Sequence, residues 1–295
     1  MRASRAGFAV YDEALEMARR ESLDAVSLCT PTCSHDLAAA SLLRQGVAVL
    51  CEIPLTIELS GAFRLFDLAD SRRTVFAPAA KFRFLPAVQQ ARDMVSAGEI
   101  GQVLNFRIEF ARYRNMLMSW RSLPEVAGGG VLRDYGGNAL DLIRYLIGPL
   151  ERLRAVRLRQ AQPLDVEDSV LMLATARGGV TGEVFLSWSA ETGSRNYATI
   201  CGSKGTVEIG WQGSVLKRHG KEPHRFGGPF DEMDAYQRMV KAFLACVQYR
   251  QPLWMTAEEA LETAFAVEMA YHSMRQDATV EVDIGRERSR GPFPV

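Results

Sequence analysis

Three polar residues near the middle of the chain have the spacing of one helical face. Asp134, Asn138 and Asp141 stand at positions i, i+4 and i+7, and the apolar residues between them form the stripe that would face a core: Ala139, Leu142, Ile143 and Leu146. A carboxylate can act as a general base or accept hydrogen bonds from hydroxyls, whereas an amide can only orient a ligand. The pattern predicts a helix that begins near Asp134. Its carboxylate and amide, Asp134 and Asn138, form a pair suited to vicinal hydroxyls.

The elements that would position these residues begin with alternating strand and helix signals in the first hundred residues. Apolar, β-branched runs alternate with segments of helical periodicity, which is βαβ patterning and predicts a doubly wound sheet. The predicted strands are Ala25–Cys29, Val47–Cys51 and Thr74–Ala77, and the predicted helices are Asp36–Arg44, Ala62–Asp70 with Ser60 as N-cap, and a segment around 88–95.

After Gly101 the pattern changes to alternating apolar and polar residues with glycines between the runs, which predicts a mostly antiparallel sheet. Two helices close the chain, at about Glu232–Gln248 and Ala257–Met274, the second with Thr256 as N-cap. We therefore predict two domains, an incomplete Rossmann-like α/β domain over residues 1–100 and an α+β domain over residues 101–295.

Several motifs occur in the order and spacing of one known family. They are TPTCSH at 30–35, CEIP at 51–54, KFRFLPAV at 81–88, SAGEIG at 96–101, the pair Trp120-Arg121, GGGVLRDYGG at 128–137 and GSKGTVEI at 202–209. With these motifs the chain resembles the Gfo/Idh/MocA family of NAD(P)-dependent sugar and polyol oxidoreductases. The resemblance implies a nucleotide-binding domain followed by a domain for substrate binding and oligomerisation.

Two catalytic positions of that family carry other residues in this chain. The family's Glu-Lys-Pro motif reads Glu52-Ile53-Pro54, and the histidine of its Asp-x-Gly-x-His motif is replaced by Asn138. The resemblance assigns proton transfer to that lysine and histidine, so Ile53 and Asn138 are degenerate catalytic positions and Asp134 is the remaining titratable group. Alternatively, Asp134 is a helix N-cap and Asn138 a capping or packing amide.

The resemblance also assigns binding residues on both sides of the cleft. The vestigial cofactor-binding positions are Thr30, Pro31, His35, Glu52, Pro54 and Arg83, and the substrate positions are Tyr113, Trp120, Arg121, Asp134 and Asn138, with Arg114 beside them. An aromatic face beside a guanidinium suits a sugar or an acidic sugar derivative. The alternatives are a helix cap for His35, a surface charge for Arg83, a core position for Trp120 and a surface ion pair for Arg121.

The glycine turn that cradles the pyrophosphate in such domains, Gly-x-Gly-x-x-Gly after a strand, is not found in this sequence. Aligned by motif, Met1 falls after the place of that turn. For the chain as given we expect no cofactor, although the resemblance implies NAD or NADP. The alternative is an active NAD(P)-dependent sugar-type dehydrogenase whose N-terminal segment is missing from this sequence through a misassigned start or a shortened chain.

The composition of the chain indicates which partners, compartment and metal sites to expect. Thirty-five basic residues balance thirty-five acidic ones, so no overall charge indicates nucleic acid or an anionic membrane as partner. We find no apolar run long enough for a membrane span and no signal peptide pattern, and we expect a cytoplasmic protein. The five cysteines are predicted to be free and mostly buried, and no metal site is expected because Cys29 and Cys33 lack a second Cys/His pair.

Assembly is predicted from two surfaces. The strand Ala25–Cys29 would be a sheet edge, which Phe8–Tyr11 or a second chain could cover. The large sheet of the second domain, with Phe106, Ile108, Phe185, Leu186 and Trp188 spread over its two faces, would leave an apolar surface for a partner. We expect a homo-oligomer, most simply a dimer formed through that sheet.

Together these features predict a degenerate member of the family that does not turn over NAD(P) as given. It would act as a binding or assembly module with a sugar-like small molecule as its ligand.

Overall fold

The computed structural model describes residues 7–285, in which a small parallel sheet is followed by a large mixed sheet. In chain order, the elements of the first part are α1 (Ala14–Arg20), β1 (Ala25–Leu28), α2 (His35–Arg44), β2 (Ala48–Cys51), α3 (Leu59–Arg72), β3 (Phe76–Pro78) and α4 (Pro86–Ser96). The strands pair in parallel in the order β1-β2-β3. This is the predicted Rossmann-like α/β architecture.

The short parallel strands lie between two hydrophobic cores, which explains their continuous apolar sequence. In β2, Ala48 and Leu50 face one core, whereas Val49 and Cys51 face the other. A parallel strand covered on both faces has no solvent side on which polar residues could alternate. The predicted N-cap Ser60 is wrong, because α3 begins one residue earlier, at Leu59, with Glu58 in the cap position.

The second part contains a sheet of nine strands in the order β11-β10-β9-β8-β4-β7-β6-β5-β12. The strands are β4 (Val103–Ala111), β5 (Leu150–Arg157), β6 (Ser169–Ala176), β7 (Val180–Ser187), β8 (Asn196–Gly202), β9 (Gly205–Gly210), β10 (Ser214–Arg218), β11 (His224–Phe226) and β12 (Val280–Glu281). Only the central pair β4–β7 is parallel among these described strands. The prediction of a mostly antiparallel sheet is confirmed.

Helices cover one face of this sheet and leave the other open. The helices after β4 are the short α5 (Pro124–Ala127), α6 (Val131–Leu146), α7 (Glu232–Tyr249) and α8 (Ala257–Gln276), of which α6 and α8 lie against the sheet together with α4. Phe106, Ile108, Leu186 and Trp188 are all buried in the core on the covered side. Phe185 points to the open face, so the five residues lie on both faces of the sheet as predicted, with four of them on the covered side.

Helix α6 carries the predicted polar face, and its start is fixed by a distant carboxylate. Glu167 Oε1 accepts hydrogen bonds from the backbone N–H groups of Gly130 and Leu132, both at 3.1 Å. A side chain at position 130 would collide with Glu167, because its Cβ would lie 2.0 Å from the Glu167 carbonyl oxygen. The helix therefore begins at Val131, with Gly130 as N-cap, and Asp134 lies in its first turn rather than at the cap.

A buried ion pair joins the two parts of the chain. The guanidinium of Arg83, in the turn after β3, donates to Asp141 on α6 at 2.6 and 3.0 Å. Its other nitrogen donates to Glu259 of α8 at 3.0 Å and to the Trp254 carbonyl at 2.8 Å. Arg83 and Asp141 are 4% and 2% exposed, so the pair lies in the interior. Glu259 also completes the capping box with the predicted N-cap Thr256.

The cysteines are free, but their burial differs from the prediction. Cys51 and Cys246 are buried, whereas Cys29 and Cys33 are exposed and Cys201 is partly exposed. Cys29 and Cys33 lie at the end of β1 and in the turn that follows, where the chain reaches the surface. In residues 7–285 no group of three or more metal-ligating side chains occurs, and no helix is long and apolar enough to cross a membrane.

Replacing Arg83 by methionine should destabilise the fold strongly. The substitution leaves Asp141 buried beside Glu259 with no guanidinium, and breaking a buried pair on one side costs about 3–5 kcal/mol. Urea unfolding at neutral pH measures this change in the free energy of unfolding. Arg92→Met is the matched control, because Arg92 stacks on the Tyr145 ring that Arg83 also contacts but pairs with Asp93 at the surface.

The double variant Arg83→Met, Asp141→Leu removes both charges and should recover most of the lost stability. Equal unfolding free energies for Arg83→Met and Arg92→Met would contradict this account of the ion pair.

The open face of the large sheet generates a prediction about assembly. Leu173 and Val156 are 55% and 42% exposed on adjacent strands, and Leu171 and Phe185 are partly exposed beside them. Phe8–Tyr11, which were predicted as one possible cover for the edge of β1, form no strand. We expect a homodimer through the open face, at twice the chain mass of 32.7 kDa by light scattering.

Leu173→Glu places a charge in this patch and should give a monomer at micromolar concentration. Met118→Glu is the control, because Met118 is 98% exposed and lies outside the sheet. A monomeric wild-type chain, or a dimeric Leu173→Glu variant, would contradict the proposed interface.

Candidate functional site

The carboxyl ends of the three parallel strands meet at one edge, which faces the first turns of α6. Thr30 and Pro31 follow β1, Glu52 and Ile53 follow β2, and Lys81 follows β3. Ligands of open parallel sheets bind outside this edge. The structure therefore brings the predicted positions from the first domain and those of α6 to the same cleft.

The His35 side chain forms hydrogen bonds within this edge of the sheet and does not face a ligand. Its ring is 1% exposed, with Nδ1 at 2.9 Å from the Pro54 carbonyl oxygen and Nε2 at 2.8 Å from the Thr30 carbonyl oxygen. The side chain thus joins the ends of β1 and β2. Thr30 and Pro31 remain at the surface, with the Thr30 hydroxyl at 2.6 Å from that of Ser34.

Ile53 packs against the helix that carries the polar face. A Cβ atom at Gly137 would lie 2.8 Å from Ile53 Cγ2, so this branched side chain occupies the space that glycine leaves on α6. Ile53 also lines an apolar crevice with Pro54, Leu55 and Met255. At this position the cleft wall has neither a proton to transfer nor a charge.

Asp134 has a hydrogen bond on each carboxylate oxygen. Arg121 Nε donates to Oδ1 and the indole N–H of Trp188 donates to Oδ2, both at 3.2 Å. The Arg121 guanidinium itself lies 4.5 Å from the Trp120 ring centre, so the pair Trp120-Arg121 forms one wall beside Asp134. Trp120 and Arg121 are both half-buried, which is intermediate between the exposure expected of pocket residues and that expected of surface residues. Asp134 is held as a positioned acceptor.

Asn138 lies on the same helical face, one turn from Asp134 and almost one turn from Asp141. Its side chain is partly exposed, and within residues 7–285 the structure shows no hydrogen bond to its amide. The amide can therefore donate to and accept from a ligand without breaking a contact in the protein.

The segment after β4 forms the wall opposite the parallel strands. The Arg114 guanidinium lies 5.9 Å from the ring centre of Tyr135, the neighbour of Asp134, whereas Tyr113 is 56% exposed and points away from this contact. Burial raises the pKa of the Tyr135 hydroxyl, and the charge of Arg114 opposes that rise. Tyr135 therefore stays protonated at neutral pH and can donate a hydrogen bond.

A charged cluster at the cleft was not found from the sequence. Lys81 pairs with Glu232 at the start of α7 and lies 3.5 Å from the hydroxyl of Tyr236, and Glu52 lies near both Lys81 and Tyr236. Burial raises the pKa of Glu52, while the Lys81 ammonium and the Tyr236 hydrogen bond lower it, with a net increase. The motif KFRFLPAV contains Lys81, but its partners lie about 150 residues away and no local pattern points to them.

The cleft fits only part of a dinucleotide. Thr30 and Pro31 are accessible to a nicotinamide, but Arg83 and His35 are committed to contacts within the protein. In the described part of the first domain, no glycine-rich turn joins a strand to a helix, so these residues offer a pyrophosphate no backbone cradle.

Replacing Lys81 by methionine should change how stability depends on pH. A raised pKa at Glu52 means that the folded state holds this proton more tightly than the unfolded state does. Stability therefore falls as pH rises from the ordinary range of a glutamate to the pKa of Glu52 in the folded protein. Removing Lys81 raises that pKa further, so Lys81→Met should extend the loss to higher pH in urea unfolding between pH 4 and 8.

Lys217→Met is the matched control, because Lys217 pairs with Glu208 on β9 at the surface. Adding Glu52→Gln to Lys81→Met should remove the extra loss. Identical pH profiles for Lys81→Met and the wild type would contradict the coupling of Lys81 to Glu52.

The chain was compared with known proteins. Residues 2–79 match the family model for an oxidoreductase family with an NAD-binding Rossmann fold, and residues 88–208 match that for the GFO/IDH/MocA C-terminal domain. The chain is 26% identical over 216 residues to levoglucosan dehydrogenase of Pseudarthrobacter phenanthrenivorans, a stretch that covers 63% of this chain and 55% of that protein. It is 25% identical over 290 residues to D-apiose dehydrogenase of Paraburkholderia graminis, covering 92% of this chain and 76% of the relative.

Solved structures show the same fold. A levoglucosan dehydrogenase in complex with NADH and levoglucosan superposes with a TM-score of 0.85 at 20% identity, over 95% of this chain and 86% of the other. An inositol dehydrogenase homologue from Azotobacter vinelandii in complex with NAD+ gives a TM-score of 0.83 at 21% identity, over 95% and 85%. Two family models in the expected order and the shared architecture lead to one conclusion: the chain belongs to the Gfo/Idh/MocA family of oxidoreductases.

Proposed function

We propose that this chain binds a sugar-like, polyhydroxylated ligand in the cleft between the parallel sheet and α6, and that it does not oxidise this ligand with NAD(P). It would act as a binding module built on an oxidoreductase fold. The ligand class is supported by the family and by relatives whose names specify levoglucosan and D-apiose.

The observation that carries the proposal is the protein environment of Asp134. Oxidation of an alcohol requires a group that takes the hydroxyl proton as the hydride leaves. Of the three candidate positions, Ile53 and Asn138 cannot take a proton, and Asp134 already accepts from Arg121 and Trp188. Both oxygens of this carboxylate are therefore already engaged by the protein, and a ligand hydroxyl would have to share them with Arg121 and Trp188.

The same geometry supports binding. The Asn138 amide lacks a partner within the described chain, the Asp134 carboxylate has further lone pairs, and the Tyr135 hydroxyl is protonated. Adjacent hydroxyls of a polyol each supply a donor and an acceptor, which these groups can match. Trp120 and Tyr135 add aromatic faces for the C–H surface of a sugar ring.

A second candidate function is that of an active NAD(P)-dependent sugar dehydrogenase, and one observation favours it. Lys81 follows β3 and lies beside Glu52. It therefore supplies an ammonium group to the edge where position 53 carries isoleucine instead of the family's lysine. That function also requires a seat for the dinucleotide, which the described first domain offers only at the nicotinamide end.

An assay of hydride transfer separates the two functions. The 295-residue chain is incubated with NAD+ or NADP+ and with myo-inositol, D-glucose, D-xylose or levoglucosan, and absorbance at 340 nm is followed. We expect no rate above that of the protein-free control. Sustained formation of NADH or NADPH by the unmodified chain would refute the proposed function and support the dehydrogenase.

Binding is tested separately by calorimetry with the same sugars. Asn138→Leu should weaken binding by roughly tenfold, because a ligand hydroxyl loses its partner in the cleft. The unfolding free energy should hardly change, since the amide has no protein partner to lose. Asn105→Leu on the exposed side of β4 is the control, and equal affinities for both variants would place the ligand elsewhere.

A further inference from the structure

A pocket beside the Asp134 cleft concentrates positive charge on a concave surface. It is lined by Lys81, Arg112, Arg114, Tyr135 and Trp211, among others, and encloses about 510 Å³ open to solvent; we call it the cationic pocket. This volume lies within the range of small-molecule sites. None of the residues considered above as catalytic positions lines it, although Tyr135 and Lys81 connect it to the cleft.

The two arginines of the pocket are free of carboxylate partners. Within residues 7–285, no ion pair forms at Arg112 or Arg114, whereas Arg83, Arg121 and Arg133 in the surrounding elements each contact a carboxylate. A guanidinium without such a partner keeps its donors available for a planar anion.

The backbone after β4 aims these two arginines at the same pocket. The N–H of Arg112 donates to the Ser187 carbonyl at 3.1 Å and the N–H of Arg114 donates to the Trp188 carbonyl at 2.7 Å. These two bonds hold the chain after β4 to the end of β7 with an irregular step, since they lie two residues apart in one segment and one residue apart in the other. Phe110, Arg112 and Arg114 all line the pocket.

The charges of the pocket do not cancel. Three cations, Lys81, Arg112 and Arg114, stand against two carboxylates, Glu191 and Glu232, and three minus two leaves a formal charge of +1. Glu232 is already paired with Lys81, whereas Glu191, Arg112 and Arg114 are all exposed, so two arginines face one remaining carboxylate. The positive end of the pocket is thus the part formed by the two arginines.

We propose that the cationic pocket binds the anionic group of a polyhydroxylated ligand, a sugar acid or a sugar phosphate, through Arg112 and Arg114. The Lys81–Glu232 pair and Tyr135 contact the neighbouring hydroxyls, and Trp211 supplies an aromatic face. This inference rests on the proposed function, because it specifies the ligand of the same cleft. It adds a charge requirement that levoglucosan and D-apiose, the neutral compounds in the names of two relatives, do not have.

The test is calorimetry at low ionic strength with D-gluconate, D-glucuronate and D-glucose 6-phosphate, compared with D-glucose and D-sorbitol. At least one anionic ligand should bind ten times more tightly than both neutral compounds. The class that does so identifies the group as carboxylate or phosphate. If no anionic ligand binds more tightly than the neutral ones, the proposal is overturned.

Arg112→Gln and Arg114→Gln should each lower the affinity for the anionic ligand by on the order of tenfold and lower the affinity for neutral ligands by much less. Arg107→Gln is the control, because Arg107 is an exposed arginine of β4 that pairs with Glu109 and Glu183, outside the pocket. Wild-type affinity in both pocket variants would also overturn the proposal. Neither result depends on whether NADH forms, so the failure of this inference is distinguishable from that of the proposed function.

Discussion

The geometry of the cleft depends on the buried ion pair between Arg83 and Asp141. Arg83 follows the last parallel strand and Asp141 lies on α6, so their bond fixes the distance between the two walls of the cleft. Glu259 extends the contact to α8, whose apolar residues enter both cores. Because charges buried this deeply are tolerated only when paired, the three segments must adopt one arrangement.

The two ends of this cleft have different chemistry. Near Ile53, Asn138 and Asp134, one wall is apolar, one group is a neutral amide and the carboxylate is held by donors. Near Lys81 and Arg114 the surface is charged and accessible. The resemblance to the family places proton transfer at the first end, whereas in this chain the charges of Lys81 and Arg114 lie at the second. On this basis we propose that the cleft binds a charged polyol and does not oxidise it.

Local patterns predicted most of the fold, while partners distant in sequence decided the site. The apolar stripe of α6 and the N-cap at Thr256 follow from sequence patterns within a few residues, and both are confirmed. The two donors of Asp134 were not foreseen as such, since Trp188 reaches it only through the parallel pairing of β4 with β7. Likewise Arg83 was predicted as a cofactor-binding position, with a surface charge as the alternative, because nothing nearby in the sequence reveals a carboxylate 58 residues away. Contacts between residues distant in sequence determine which side chains are buried. Burial in turn determines whether a charged side chain forms an internal ion pair.

A crystal structure of the chain saturated with a sugar acid would test the central claim most directly. We expect the carboxylate within hydrogen-bonding distance of Arg112 and Arg114, a ligand hydroxyl at the Asn138 amide, and Asp134 still bonded to Arg121 and Trp188. A ligand bound elsewhere would contradict the account. A ligand hydroxyl that displaces Arg121 from Asp134, with an ordered nicotinamide beside the carbon that bears this hydroxyl, would also contradict the account. The cleft would then hold both a free base and a hydride acceptor.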